Sequence, residues 1–369
     1  MATKVTIQDI ADALGISRNT VSKALNNTGV LAEKTRERVL RKAVEMGYKE
    51  FSYLNLSDLN LSGGSNTPEP ASDAGSSGAI PSGGGVIALM STTVLGGSHF
   101  ANLMLDKFQR KLSLAGYSFM SYRITEENLA SMTLPASFDH SAVSGIVCVE
   151  VFSMEYSRFL LSLKIPTLFV DAPVPTLREA FPCDILLMDN RTQITEFVFR
   201  AVEQGHTSFG FIGEVNHCRS FAERYLGLVD ALLPYGLSVR DEFLLSSHKL
   251  LDPPEIFRED VYIEYLRKQI ESLDRLPDVF LCANDFIAIY VLRIFAGLHI
   301  RVPSDVQLLG FDNSPESSVV TPALSTIRID SRSMGEMAFS LLLQRIQDPQ
   351  MANRTIYCQT SLILRDSTI

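Results

Sequence analysis

The 369-residue sequence predicts a small all-α headpiece joined to an α/β body of two parallel-sheet lobes. Three observations carry this. Between Thr6 and Tyr48 the apolar residues recur at helical spacing in three short segments broken by glycine. From Val86 onward short, continuously apolar runs alternate with amphipathic stretches, the mark of parallel strands covered on both faces. Between them lies a segment built mostly of Ser, Gly and Pro, without a single aromatic residue, "SGGSNTPEPASDAGSSGAIPSGGG".

Thr6 stands where it can cap a first helix, on which Ile7, Ile10, Ala11 and Leu14 form one apolar stripe. Gly15 supplies a left-handed stop. Ser17 can cap a second helix with Val21, Ala24 and Leu25 inward. "EKTRERVLRKAVEMGY" supplies a third, with Val39, Leu40, Ala43 and Met46 inward and Gly47 at its end. The expected division is a headpiece at 1–50, a hinge and flexible linker at 51–85, and a body at 86–369.

In the body the strand candidates are "GVIALM", "GIVCVEV", "TLFVD", "DILLMD", "FGFIGEV", "DVFLCA" and "VQLLGFD". Amphipathic stretches such as "ANLMLDKFQRKLSLAGY", "ITEFVFRAVEQGH" and "FAERYLGLVDALLPYGL" separate them. Ligands of open α/β sheets sit beyond the carboxyl ends of the strands, which singles out Asp171, Asp189-Asn190, Asn284-Asp285 and Asp312-Asn313.

Several function classes are disfavoured. The richest apolar stretch, "VFLCANDFIAIYVLRIFAGLHI", is interrupted by Asn284, Asp285 and Arg293, so no membrane span is expected. Asp9 and Asp12 occupy the place of a signal core, so the expected location is cytoplasmic. The five cysteines are scattered and never spaced C-x-x-C, which argues against a disulfide framework or structural zinc, and Cys148 and Cys282 read as core. No dinucleotide-binding fingerprint, phosphate loop or nucleophile elbow is found, so neither an enzyme nor a cofactor is expected. The net charge of −9 is unevenly spread: residues 1–50 hold nine Lys/Arg against six Asp/Glu, or +3, leaving −12 for the remainder. A basic end on an acidic body suits a module that meets phosphates.

The start of the second helix fits that task. In a helix-turn-helix this end faces base edges in the DNA major groove. Arg18 can fork onto guanine, Asn19 suits adenine, and Lys23 can reach guanine acceptors. Thr6, Ser17, Thr20, Ser22 and Asn26 can anchor phosphates. The same residues would also serve as helix caps and solvated charges. The preceding helix, the glycine turn and the basic third helix favour the nucleic-acid reading.

"VTIQDIADALGISRNTVSKALNNTGVLAEKTRERVLRKAVEMGYK" resembles the DNA-binding headpiece of the lactose-repressor (LacI/GalR) family. The body agrees through "LLMDN", "VEQGHTSFGFIGE", "ERYLGLVDAL", "CANDFIAIYVLRIFAGLHIRVPSDVQLLGFDNSPESSVVTPALSTIRID" and "LILRDST". The likeness covers most of the chain outside the linker. It implies a transcriptional regulator, a repressor, acting as a homodimer on a pseudo-palindromic operator of double-stranded DNA. It also implies a body like the periplasmic sugar-binding proteins, with a small-molecule effector, a carbohydrate or similar compound, held between the lobes. The family's base-reading positions fall on Arg18, Asn19 and Lys23, the last usually Arg. Its effector positions fall on Arg224, Asn284 and Asp312, with Asp171 a fourth. Asn284 and Asp285 can equally cap a helix, and Arg224 can be a surface charge. His206 reads as a turn residue, and Asp189-Asn190 as capping. No heptad repeat follows "LRDSTI", so a dimer rather than a tetramer is expected.

Three departures from the family stand out. Glu50 replaces a proline and Ser57 a leucine wedge in the hinge, with no Lys or Arg from Glu50 to Gly85. "MSTTVLGGSHF" replaces the usual run after the first body strand, and Ala32 a capping Ser. The altered hinge leaves one alternative open: a cytoplasmic small-molecule-binding protein whose DNA binding is weakened or lost.

Overall fold

A computed structural model describes residues 5–25, scattered positions from 35 to 48, and residues 85–92, 99–174, 181–246 and 259–368. The linker, Asn26, Ala32, Leu40, Gly47, Glu50 and Ser57 lie outside the described residues.

The headpiece begins with α1 (Ile7–Leu14) and α2 (Arg18–Leu25). A reciprocal cap starts α1: the Thr6 hydroxyl accepts from the Asp9 amide, and the Asp9 carboxylate accepts from the Thr6 amide at 2.7 Å. Gly15, at φ 64°, ends it in the left-handed conformation that glycine adopts without strain. Ser17 accepts from the Thr20 amide at 3.0 Å and so caps α2. Ile10, Ala11, Val21, Ala24, Leu25, Val39 and Ala43 are buried, and Met46 packs against them. Arg38 donates to the Leu14 carbonyl at 2.9 Å, tying the third segment to the end of α1.

The body divides into two sheets. Lobe 1 holds β1 (Val86–Ser91), β2 (Ser118–Arg123), β3 (Val143–Val149), β4 (Thr167–Val170), β5 (Asp184–Met188) and β11 (Thr355–Cys358), ordered β11-β5-β4-β3-β1-β2 and parallel throughout. Its helices are α3 (His99–Leu114), α4 (Glu126–Ser131), α5 (Met154–Ser162) and α10 (Ser331–Gln347). In lobe 2, β6 (Phe209–Ile212), β7 (Leu244–Leu245), β8 (Val279–Cys282) and β9 (Gln307–Leu309) form a parallel sheet ordered β7-β6-β8-β9. Its helices are α6 (Thr192–Glu203), α7 (Arg219–Leu232), α8 (Glu259–Glu271) and α9 (Asp285–Gly297).

The seven apolar runs expected as strands correspond to β1, β3, β4, β5, β6, β8 and β9. Two features depart from that reading. β2 and β11 escape it because they are sheet edges, half exposed and mixed in polarity, and β7 because it is only 2 residues long. Nor is everything parallel: β10 (Thr326–Ile329) pairs antiparallel with β12 (Thr360–Ile363) and is bridged to lobe 2 through Leu309–Ser325 and Asp312–Arg328. The chain crosses between the sheets three times, at residues 189–191, 330 and 359, and the two later crossings run on from β10 and lead into β12.

Cys148, Cys183, Cys218 and Cys282 are buried and all five thiols are free, as a core role requires. No helix among the described residues is long and apolar enough to cross a membrane. At the base of lobe 1 the fully buried Asp184 joins Arg345 (Nη2–Oδ1 2.9 Å) and Arg354 (Nη2–Oδ2 2.8 Å), binding α10 and the approach to β11 to the start of β5. Burial tends to raise its carboxyl, but hydrogen bonds from the two arginines outweigh it and hold the group below its ordinary range.

Removing Arg345 leaves a buried carboxylate partly unpaired, so Arg345→Met should cost about 3–5 kcal/mol, read as a lower urea midpoint at unchanged slope. Because the folded-state pKa of Asp184 is depressed, this contribution is present above about pH 4 and is lost as pH falls through the folded value. A midpoint unchanged at pH 7 would show that the cluster does not stabilise the fold.

Candidate functional site

The carboxyl ends of the strands from both lobes face one cleft, and Arg224 of α7 sits at its centre. Only 2% exposed, its guanidinium needs acceptors on every side. Nε donates to Asn190 Oδ1 at 3.0 Å and Nη1 to the Ala283 carbonyl at 2.5 Å, while Nη2 lies 3.6 Å from Asp312 Oδ1. The ring of Phe311 lies 3.5 Å from the guanidinium carbon, and that of Phe221 5.6 Å. Residues from the ends of β5, β8 and β9 thus converge on one side chain.

Asp312 stands at φ 108°, after β9 and Phe311, and its loop is held by Asp285. The Asp285 carboxylate accepts from the Ser314 amide at 2.6 Å and the Thr326 hydroxyl at 2.5 Å, while its own amide donates to the Phe311 carbonyl. Asp171, at φ 60°, ends β4 on the opposite wall and accepts from the Ala172 amide at 2.8 Å and the Ser220 amide at 3.2 Å. The second of these bonds crosses from lobe 1 to the first turn of α7, where exposed amides favour an anion. Arg219 N to Ala172 O, 2.8 Å, closes the same point. Nearby, Phe152 of lobe 1 meets His217 of lobe 2 edge-on at 4.9 Å, and His217 meets Phe221 at 5.3 Å.

The cleft also shifts protonation. Burial pushes the Asp312 carboxyl up to about 6; Arg224 opposes this, while Glu150 and Asp171 add to it. Asp171 is raised by burial, only partly offset by its hydrogen bonds. Burial lowers His217 to about 4, so it is neutral at pH 7. Acidic and amide groups around a buried Arg can fork onto sugar hydroxyls or the edges of a base.

Of the four sequence-predicted cleft residues, Arg224, Asp312 and Asp171 come together in this way. Asn284 borders the cleft beside Ala283, and its side chain caps α9 by accepting from the Ile287 amide at 2.9 Å. Asp189 stands two residues ahead of the α6 cap position, Arg191, and accepts from the Arg191 and Thr192 amides at 3.0 Å. Asn190 departs from the capping expectation: its amide bridges Glu223 and Arg224, because the strand ends at a crossing where α7 lies alongside. His206 is the turn residue expected, bonded to Gln307 at 2.8 Å. Phe152, His217 and Glu223 were not singled out from the sequence, since the contacts that bring them here, Phe152–His217 and Asn190–Glu223, join distant parts of the chain. A second groove, of about 1050 Å³, opens between α6, the end of α7 and β12, but its charges pair among themselves as Arg191–Asp230 and Arg200–Glu196.

On the headpiece, Arg18 and Asn19 are exposed at the start of α2, with Thr20, Ser22 and Lys23 half-buried along it. The hydroxyls of Thr6 and Ser17 serve the caps already described, and Ser17 also meets the Thr20 hydroxyl at 2.8 Å.

Comparison with known proteins gives two family matches: "Bacterial regulatory proteins, lacI family" over residues 6–50, and "Periplasmic binding protein-like domain" over residues 199–368. The chain is 26% identical over 375 residues to the HTH-type transcriptional regulator GalR of Lacticaseibacillus casei, with 99% of each chain covered. It is 26% identical over 371 residues to the HTH-type transcriptional repressor PurR of Erwinia tasmaniensis, covering 98% of this chain and 96% of the relative. Among solved structures, the transcriptional regulator CelR–cellobiose complex matches with a TM-score of 0.64 at 20% identity, covering 99% of this chain and 100% of that one. The lac repressor dimer bound to operator and the anti-inducer ONPF matches with a TM-score of 0.58 at 18% identity, over 100% of both chains. The structural likenesses establish a shared fold.

The raised Asp312 carboxyl has a consequence for stability. Its folded-state pKa of about 6 lies above the unfolded value, so the ionised form opposes folding above pH 6, and this penalty is relieved as pH falls toward 4. Wild type should therefore gain up to about 3 kcal/mol relative to Asp312→Asn between pH 7.5 and 4. Parallel urea titrations of the two proteins would expose an error in this assignment if their pH profiles ran parallel.

Proposed function

The chain belongs to the lacI family of bacterial regulatory proteins, and we propose on that footing that it is a sequence-specific DNA-binding repressor of transcription, controlled by a small molecule held between the two lobes. The observation that carries this reading is the capped α1–turn–α2 unit, which leaves Arg18 and Asn19 exposed at the start of α2. That is the end a recognition helix presents to base edges.

In this reading Arg18, Asn19 and Lys23 read bases, and Thr6, Ser17, Thr20, Ser22 and Asn26 lie against phosphates. Thr6 and Ser17 would contribute mainly by their placement at helix starts, their hydroxyls being engaged in caps. The headpiece is residues 1–50, the hinge and linker 51–85, and the effector-binding and dimerisation body 86–369. The protein acts in the cytoplasm as a homodimer on a two-fold symmetric operator, because two headpieces related by an axis require two half-sites. The effector is a carbohydrate or a compound of similar hydrogen-bonding pattern, held by Arg224 and Asp312 with Asp171 and Asn284 beside them. By binding one lobe arrangement better than the other, it shifts the DNA-competent population. Glu50 and Ser57 in the hinge favour a second reading, a cytoplasmic small-molecule-binding protein with weakened or lost DNA binding.

Selection from random duplex DNA at fixed moderate salt tests the first reading. Wild type should enrich a two-fold symmetric site. Arg18→Ala should weaken binding to it by about 1–3 kcal/mol, or roughly 5–150-fold, and relax preference at one base of each half-site. Failure to enrich any sequence, with and without a panel of mono- and disaccharides that includes cellobiose, would overturn it in favour of the second. Saccharide-induced thermal stabilisation should disappear in Arg224→Gln.

A further inference from the structure

Two of the three crossings between the lobes are attached to the helix that carries Arg224. In the first, Asn190 donates from Nδ2 to Glu223 Oε2 and accepts at Oδ1 from Arg224 Nε, both at 3.0 Å. A carboxylate can only accept and a guanidinium can only donate, so these partners leave the amide one orientation. Glu223 Oε1 accepts from Arg219 Nε and from the Tyr357 hydroxyl, each at 2.8 Å, and Arg219 Nη2 reaches the same hydroxyl at 2.9 Å. Tyr357 belongs to β11, two residues before the third crossing. The two crossings are also joined directly: Asp189 N donates to Cys358 O at 2.7 Å, and the Thr360 hydroxyl to Asp189 O at 2.9 Å.

Asn190, Glu223 and Arg224 are 1%, 9% and 2% exposed, so water does not readily replace these bonds. Neither end of the Asn190 amide has slack. If Arg224 is drawn into the cleft, Asn190 follows or its bond breaks. Glu223, held by the same amide, then pulls on Tyr357.

We infer that Asn190, Glu223 and Tyr357 are positioning residues that tie the Arg224 guanidinium to both crossings, so that a displacement of Arg224 moves the hinge between the lobes. The inference deepens the regulator reading, on which it rests for the ligand that would displace Arg224. The linkage itself is a property of the ligand-free chain and is tested there.

Hydrogen–deuterium exchange on the full chain, without DNA or ligand, reads the linkage. Arg224→Lys keeps the charge and removes the Nε bond to Asn190; Asn190→Ser cuts the same link from the other side and takes its place if the lysine variant does not fold. Either change should speed exchange at residues 187–192 and 356–361 together, by roughly tenfold, as expected for local opening after loss of a buried charge-assisted bond. In a Tyr357→Phe background the same change should speed the second segment markedly less than the first, the direct bonds through Asp189 carrying what remains. The inference is overturned if residues 356–361 do not respond to Arg224→Lys or Asn190→Ser, or respond equally with and without the Tyr357 hydroxyl. A merely structural role for Tyr357 predicts the equal response. The regulator reading fails separately, by the absence of a selected DNA sequence, and that failure leaves the exchange pattern readable.

Discussion

A buried guanidinium organises the body of this protein. Arg224 is almost wholly removed from water, and an unpaired charge there would cost several kcal/mol. It is satisfied by the ends of three different strands: Asn190 after β5, Ala283 after β8 and Asp312 after β9. Each must arrive at the right height and angle, so the register of both sheets and the path of the first crossing are constrained together. The faces of Phe311 and Phe221 fill the remaining sides, where a cation is attracted and water is excluded. Asp285 is buried for a related reason: it holds the Asp312 loop in a backbone conformation uncommon for a residue with a side chain.

The same arrangement leaves the cleft poised rather than neutral. Asp312 partners Arg224 only at 3.6 Å, and burial with nearby carboxylates raises its pKa toward physiological values. Among the polar contacts of the guanidinium the one to Asp312 is the longest, so it can be exchanged without breaking the shorter bonds to Asn190 and Ala283. Bonds between Asp171 and Ser220, and between Ala172 and Arg219, already hold the walls together on one side. Together with the links through Asn190 and Tyr357, they make the relation between cleft and hinge one of direct hydrogen bonds.

The headpiece follows a different logic. Its two described helices are each 8 residues long, too short for helices that rely on propensity alone. They depend on the Thr6–Asp9 cap, the Gly15 turn, the Ser17 cap and a small buried cluster. Because the caps use the polar side chains at the helix starts, the side chains left facing outward at the start of α2 are Arg18 and Asn19. The economy of a small fold thus exposes the residue types suited to base edges.

By itself the sequence determined the local structure. Helical spacing, cap residues and Gly15 specify the headpiece, because these are interactions within a few residues. Continuous apolar runs specify seven buried strands, because a strand covered on both faces needs no distant partner to be recognised. Asp171 and Asp312 stood out as polar residues ending apolar runs, and Arg224 through the family resemblance of its motif. What only the tertiary structure decided depends on partners far apart in the chain. The edge strands β2 and β11 and the antiparallel β10–β12 pair have no strong pattern of their own. Asn190 looks like a helix cap beside Asp189 until α7 is seen lying against it. Glu223 and Tyr357 are separated by 134 positions yet share a 2.8 Å hydrogen bond. Sequence spacing reports contacts of short range; the linkage between cleft and hinge consists of long-range ones, which exist only once both sheets are folded and the chain has crossed between them.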